Sequence, residues 1–111
     1  MLLVHRFRLL RGHAAGNRPR KVGDVPRFRH SDVYDDAERA VLEYAVAATA
    51  SPVALEDELV ERLHRHLREP EIVELAAWVA LENFRSRFNA GLGLKSQGFA
   101  DRCPVAPLPM A

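Results

Sequence analysis

The chain has 111 residues and a mass of 12.5 kDa, which is the size of one domain and leaves no room for a second independent core. Hydrophobic residues make up 48% and charged residues 28%, as in ordinary globular proteins, and the longest apolar run is too short to cross a membrane. The single cysteine excludes an intramolecular disulfide and a Cys-x-x-Cys pair, and it favours a reducing, cytoplasmic location.

The net charge of +1 conceals an uneven distribution. Residues 1–31 hold eight Lys and Arg residues and one acid, a net +7, whereas residues 32–111 hold eight bases and fourteen acids, a net −6. Such asymmetry is typical of segments with different roles or origins. We therefore divide the chain into a basic N-terminal segment at 1–30, a helical domain at 31–94, and a proline-rich tail at 95–111 that is predicted to be extended or disordered.

The basic N-terminal segment has three interpretations. Arg6, Arg8 and Arg11 alternate with apolar residues, as in an Arg-rich targeting presequence, although the segment contains no serine. The same charges could form an arm that binds nucleic acid or anionic lipid by releasing counterions. The residues could also result from a misplaced start or a frame change. Nucleic-acid binding is less favoured because no aromatic and basic interleaving and no known recognition motif accompanies the charge.

Two amphipathic helices are predicted after this segment. The first begins near Asp35, because Asp35 and Glu38 have the spacing of a capping box, and it ends at Ser51, the residue before Pro52. The second runs from about 55 to 67. Its apolar stripe consists of Leu55, Leu59, Val60, Leu63 and Leu67.

A third helix is predicted from about 71 to 90, with Gly91 as its C-terminal cap. Between 72 and 81 it is apolar nearly all round except for Glu74, a pattern that predicts burial on most sides. No segment has convincing strand alternation. The sequence therefore predicts an all-α fold.

Several blocks of the sequence occur in the order found in one protein family. They read RFRHSDVY at 27–34, AERAVL at 37–42, EIVEL at 71–75, ALENFRSRFN at 80–89, GLGL at 91–94 and SQGF at 96–99. Together they resemble the carboxymuconolactone decarboxylase family, which includes the alkylhydroperoxidase D-like proteins. The resemblance covers roughly residues 22–99, about two-thirds of the chain.

The resemblance implies an alkylhydroperoxidase D-like helical bundle that assembles as a homo-oligomer, from a dimer to a hexamer, and requires no cofactor. Members of the family decarboxylate a lactone intermediate of aromatic catabolism or act as thiol peroxidases. The peroxidase type uses a Cys-x-x-Cys pair with a nearby His and Glu as a proton relay. In that chemistry one thiolate attacks the peroxide and the second thiol resolves the sulfenic acid as a disulfide.

The sequence departs from this pattern at its N-terminal end. If residues 14–16 correspond to the loop after the catalytic helix, the cysteine pair should fall near residues 1–4, where no cysteine occurs. No catalytic residue can be carried over, and the bundle is expected to be incomplete at the N-terminus. We therefore expect a truncated or degenerate family protein without its own thiol peroxidase chemistry. We favour a misplaced start or frame change for residues 1–30, because the resemblance ends where the composition shifts.

The alternative hypothesis is a helical oligomer without enzymatic activity, whose basic arm binds nucleic acid or another polyanion. It rests on the charge of the first 31 residues rather than on the resemblance.

Four polar residues of the third helix are candidate anchors or pocket-lining groups. Glu74 interrupts an apolar helix, and Arg85 and Asn89 lie on nearly the same face. Glu74 is either a general base that lines a pocket or, as we prefer, a carboxylate satisfied by a neighbouring group. Arg87 and Asn89 match the family's Arg-Phe-Asn motif and are expected to anchor the end of the helix.

The remaining candidates have simpler interpretations. Cys103, beside Pro104, is expected to be an exposed cysteine in the tail, because a peroxidatic thiol would need a resolving partner. His64 and His66 are two residues apart on a helix and cannot chelate one metal ion, so no metal site is predicted. Packing in the core or at an interface is expected for Trp78, Phe84 and Phe88. Because the third helix is so apolar, we expect the monomer to be only marginally stable.

Overall fold

The structure, a computed structural model, describes residues 18–95 of the chain. Within this range it contains four α-helices and one short 3-10 helix, and none of the described residues forms a strand. The elements are α1 (Arg18–Asp24), the 3-10 helix (Val25–Arg27), α2 (Asp36–Thr49), α3 (Asp57–His66) and α4 (Glu69–Gly91). The predicted all-α fold class is confirmed. The basic residues at positions 6, 8 and 11, the tail from 96 onward and Cys103 lie outside the described range.

The start of α2 follows the sequence prediction closely. Asp35 caps the helix by accepting a hydrogen bond from the backbone N–H of Glu38 at 2.7 Å, and the Glu38 carboxylate accepts from the N–H of Asp35 at 3.1 Å. The reciprocal pair satisfies two backbone donors that a helix start otherwise leaves without partners. The helix ends at Thr49, two residues before Ser51.

The core of the described residues lies where α2 packs against both α3 and α4. Helix α3 begins two residues later than predicted. Of its predicted apolar stripe, Leu63 and Leu67 are buried and Leu59 is half-buried, whereas Leu55 and Val60 are exposed and their predicted place in the stripe is wrong. Tyr44 of α2, Leu63 and Leu67 of the α3 region and Leu75 of α4 meet around Ala40, which is completely buried. Side chains packed around this cluster are Val41, Ala48, Ile72, Ala76 and Val79.

The predicted C-terminal cap of α4 is wrong by two residues. Gly91 is the last helical residue, and Gly93 takes the left-handed conformation with φ of 68°. The N–H of Gly93 donates to the carbonyl of Ala90 and the N–H of Leu94 to that of Asn89, both at 3.0 Å. This pair of hydrogen bonds forms a Schellman motif. The motif requires a residue with positive φ, which glycine adopts without strain.

The prediction that α4 is buried on most sides is also wrong for the described part of the chain. Only Glu71 and Leu75 of this helix are buried. The helix packs against α2 and α3 on one side, and among residues 18–95 no further element covers the opposite side. Burial all round would require another element or another molecule on that side.

Helix α1 is attached to the start of α2 by polar side chains. Lys21 forms a salt bridge of 2.7 Å with Glu38, and the hydroxyl of Tyr34 donates to the backbone carbonyl of Lys21. The hydroxyl of Ser31 donates to Asp24 at 2.6 Å. These contacts cross residue 30, where the sequence division between the basic segment and the helical domain was drawn.

Candidate functional site

The four polar candidates of α4 do not converge on one site. Arg85 pairs with Glu82, one turn away on the same helix, at 3.0 Å, and both side chains are exposed. Glu74 is half-buried and Asn89 is exposed. At 1.5 Å of rise per residue, Glu74 lies about 16 Å along the helix axis from Arg85. A carboxylate and a guanidinium at this separation on one helix cannot act together on a small substrate.

Arg87 contacts a residue outside α4. Its guanidinium donates to the hydroxyl of Ser51, beyond the end of α2, at 2.7 Å. One turn earlier, the Asn83 amide donates to the hydroxyl of Thr49 at 2.9 Å and to the carbonyl of Val79 at 2.9 Å. These two polar contacts hold the second half of α4 against the end of α2, which is anchoring rather than catalytic geometry.

A groove between α2 and α3 contains an ion pair that the sequence prediction did not single out. Arg62 of α3 donates to Glu43 of α2 at 2.6 Å, and both side chains are less than one-third exposed. The hydrogen bond from Arg62 to Glu43 raises the pKa of Arg62 above its ordinary value, while burial acts in the opposite direction. The Arg62 guanidinium therefore stays charged, and its bond to Glu43 links the two helices.

The groove has a volume of about 450 Å³. Its lining comprises Arg29, Glu43, Val46, Ala47, Ala50, Ala54, Glu56, Glu58, Leu59 and Arg62. Its lining contains no cysteine, serine or histidine, so it offers no thiol, serine hydroxyl or imidazole group, and its ionisable side chains are arginines and glutamates. The sequence does indicate the ion pair, because Glu43 is the single charged residue between positions 40 and 48. Like Glu74, it interrupts an apolar stretch of a helix.

The polar cluster between α1 and α2 perturbs two titratable groups. The Ser31 hydroxyl, followed by the guanidinium of Arg27 at 2.9 Å, lowers the pKa of Asp24 below its ordinary value. Burial raises the pKa of Tyr34, and the carboxylates of Asp24 and Glu38 act in the same direction. Every one of these groups has a partner inside the cluster, so its hydrogen-bonding capacity is used for structure.

The exposed side of α4 carries three aromatic side chains. Trp78, Phe84 and Phe88 are 46%, 65% and 56% exposed, and the two phenylalanine rings stack with centroids 5.9 Å apart. Of the two predicted roles for these residues, packing in the core of the described chain is wrong. Packing at an interface stays a prediction.

Residues 18–95 contain neither a candidate metal site nor a candidate membrane-spanning helix. No group of three or more His, Cys, Asp and Glu side chains there could hold a metal ion. His64 is exposed and His66 half-buried on α3, and His30 is exposed. None of the helices in residues 18–95 is long and apolar enough to cross a membrane.

Comparison with known proteins gives one relative of unassigned function. Residues of this chain are 38% identical over 74 positions to the uncharacterized protein YnjA of Escherichia coli K12. The match covers 67% of this chain and 41% of that protein, so the chain spans about two-fifths of the length of the curated relative that it matches. No protein-family model matches the sequence. No solved structure matches it either.

Proposed function

We propose that this chain is a carboxymuconolactone decarboxylase-like protein that lacks thiol peroxidase chemistry of its own. The observation that carries the proposal is the mutual bonding of the residues in the first resembling blocks. Arg39 donates to the backbone carbonyls of Ser31 and Tyr34 at 3.0 and 3.2 Å, and Glu38 is both a helix cap and the salt-bridge partner of Lys21. Residues of the first two resembling blocks are thus bonded to one another, as expected if the resemblance is one of fold.

The thiol count supports the absence of peroxidase chemistry. A peroxidatic cysteine that reacts with a hydroperoxide becomes a sulfenic acid and releases an alcohol, and a second thiol then condenses with it to form a disulfide and water. The 111 residues contain one cysteine, at position 103, so one chain cannot supply both thiols. The lining of the α2–α3 groove contains no cysteine and offers no substitute.

The test is a hydroperoxide reduction assay with the full chain and its Cys103→Ser variant. Cumene hydroperoxide serves as the oxidant and dithiothreitol as the reductant. We expect the two proteins to have equal rates, both at the level of the reaction without protein. Turnover by the full chain that Cys103→Ser abolishes would overturn the proposal, because it would assign peroxidase chemistry to Cys103 with an external resolving thiol.

The proposal includes a homo-oligomer, from a dimer to a hexamer, and a cytoplasmic location. The exposed apolar side of α4 supports the oligomer, because monomeric proteins rarely expose contiguous apolar patches larger than a few hundred Å². The use of a single cysteine supports the reducing compartment.

The second candidate function is polyanion binding by the basic N-terminal segment. The net charge of +7 on residues 1–31 favours it. Part of that charge is already paired in the structure, however. Arg20 pairs with Asp32 at 2.7 Å, Lys21 with Glu38 and Arg27 with Asp24. Electrophoretic mobility shift with duplex DNA and single-stranded RNA tests it, and absence of a shift at low salt would exclude it.

A further inference from the structure

The exposed side of α4 forms a continuous stripe opposite the core. We define the outer face of α4 as Val73, Ala77, Leu81, Phe84 and Phe88. At about 100° per residue, these five positions lie within about 80° of one another around the helix axis. The core-facing positions Ile72, Leu75 and Val79 lie on the other side. A face of this kind is the apolar stripe by which a helix packs on another helix.

The sizes of the side chains make the outer face complementary to itself in one orientation. In an antiparallel pair of α4 helices centred at residue 78 or 79, Val73 lies opposite Phe84 of the partner subunit. Ala77 then lies opposite Leu81 of the partner subunit, and Pro70 opposite Phe88 of the partner subunit. Each layer combines a smaller side chain with a larger one, which is how helices approach closely without leaving voids.

Charges at the edge of the outer face favour the same orientation and the same centre. Glu69 and Arg87 lie on one flank of the helix, both are exposed, and the midpoint between them is residue 78. An antiparallel pair brings each flank against the same flank of the partner, so Glu69 faces Arg87 of the partner subunit at both ends. The guanidinium of Arg87 uses one nitrogen for Ser51, which leaves further N–H donors for a carboxylate.

A parallel pair would bring opposite flanks of the two helices together, so it would not place Glu69 beside Arg87 of the partner subunit. The possible pairing of Glu69 with Arg87 of the partner subunit therefore favours the antiparallel orientation, although each exposed ion pair is weak by itself.

The exposed side chains set the area that such a pair buries. At about 200 Å² for a whole aromatic side chain, the exposed fractions of Phe84 and Phe88 amount to about 240 Å² per chain, or about 480 Å² for two. Val73 and Leu81 are 68% and 46% exposed and extend this area. The total stays below about 1,200 Å², which is the size of small, weak protein interfaces.

We infer that a second copy of this chain covers the outer face of α4, in antiparallel orientation, with the two-fold axis beside Trp78. The inference rests on the proposed homo-oligomer and adds to it the surface, the orientation and the register. Trp78 is the single tryptophan of the chain. It lies level with the axis, beside the outer face, so its fluorescence is a local probe of assembly.

The first experiment is cysteine crosslinking in a Cys103→Ser background with a short bismaleimide. Ala77→Cys places a thiol within one turn of the axis, so we expect it to crosslink to its own copy. Gly91→Cys is the matched control: a Cβ at Gly91 meets no atom within 4 Å, and the position belongs to the same face. In the antiparallel pair its two copies lie about 39 Å apart, so no crosslink should form. Crosslinking of Gly91→Cys would overturn the orientation.

The second experiment measures the dissociation constant by sedimentation equilibrium and by Trp78 fluorescence across protein concentrations. Leu81→Glu buries two unpaired carboxylates near the axis and should raise the dissociation constant at least about 100-fold. Val53→Glu, at a residue that is 60% exposed between α2 and α3, should leave it unchanged. Arg87→Glu should raise the constant about 5-fold, and Glu69→Arg in the same chain should restore most of the loss.

The outcomes separate this inference from the homo-oligomer itself. A wild-type chain that remains monomeric at all concentrations would overturn both. An oligomer that Leu81→Glu leaves intact, with circular dichroism showing a folded variant, would overturn the surface assignment alone. Failure of Glu69→Arg to rescue Arg87→Glu would overturn the register.

Discussion

Glu38 holds two structural elements together, and its removal should have a cost that can be divided into two parts. Its carboxylate accepts from the backbone N–H of Asp35 at 3.1 Å and from Lys21 at 2.7 Å, and the residue is 8% exposed. The capping contribution is about 1 kcal/mol. The salt bridge is intermediate between fully exposed and fully buried ion pairs, because the Lys21 side chain is still 24% exposed. We therefore assign the salt bridge a contribution of about 1–2 kcal/mol to the free energy of unfolding.

Glu38→Ala should therefore lower the free energy of unfolding by about 2–3 kcal/mol. Glu38→Gln retains an oxygen that can accept a hydrogen bond but loses the charge, so it should cost about half as much. The measurement is urea unfolding followed by far-UV circular dichroism, at one protein concentration for all variants because assembly contributes to stability. Glu82→Ala, which removes an exposed ion pair with Arg85, is the control and should cost less than about 0.5 kcal/mol.

The reasoning fails if Glu38→Ala costs no more than Glu82→Ala, since both the cap and the salt bridge would then contribute nothing. It also fails if Glu38→Gln costs as much as Glu38→Ala. That result would mean that the hydrogen bond to the N–H of Asp35 contributes nothing to the free energy of unfolding.

Two further predictions concern pH and use the polar cluster between α1 and α2. The Ser31 hydroxyl and Arg27 lower the pKa of Asp24, so the stability that Asp24 supplies is present above its ordinary value of 3.8 and is lost as the pH falls through the lower, folded value. Asp24→Asn should therefore flatten the decline of Tm between about pH 5 and pH 2, and an unchanged acid limb would contradict this. Burial and the carboxylates of Asp24 and Glu38 raise the pKa of Tyr34, so its stabilising contribution is complete below pH 10.0 and is lost as the pH rises through the folded pKa. In a Tyr44→Phe background, where Tyr34 is the single remaining tyrosine, tyrosinate absorbance should have its midpoint above 10.0, and a midpoint at or below that value would refute the burial argument.

The features that sequence alone predicted correctly are local ones. The capping box of α2 depends on two residues three apart, and the burial of Leu63 and Leu67 follows from helical periodicity. Both are properties of a single helix, so they need no knowledge of its neighbours. The end of α4 was missed because two glycines two residues apart, Gly91 and Gly93, are equally able to take a positive φ. The choice between them depends on how far the helix continues.

The features that sequence did not predict depend on how the helices pack. Arg62 could pair with any acid within reach, and it is the approach of α3 to α2 that brings it to Glu43. Composition predicted burial of α4 on most sides, yet the described chain provides packing partners on one side only. The apolar pattern of a helix indicates how much of its surface is suited to burial. It does not indicate whether the elements that bury this surface belong to the same chain.

The charge of the basic segment gives a final prediction. Ion pairs in the structure reduce the number of bases that can contact a polyanion below the number counted in the sequence. Of the eight bases in residues 1–31, three are in ion pairs with acids of the described chain, namely Arg20, Lys21 and Arg27. At most five bases are therefore left for phosphate contacts. At a slope of about 0.9 per contact, the logarithm of the affinity for duplex DNA should fall no more steeply than about 4.5 per unit of log salt concentration.

Single substitutions separate the two groups of bases. Arg8→Gln should reduce the salt slope by about one, whereas Lys21→Gln should leave it unchanged and lower the free energy of unfolding instead. The measurement is fluorescence anisotropy of labelled duplex DNA between about 50 and 200 mM salt. A slope clearly steeper than 4.5 would show that DNA competes successfully with Glu38 and its neighbouring acids for the paired bases. In that case the contacts between α1 and α2 would have to open when the polyanion binds.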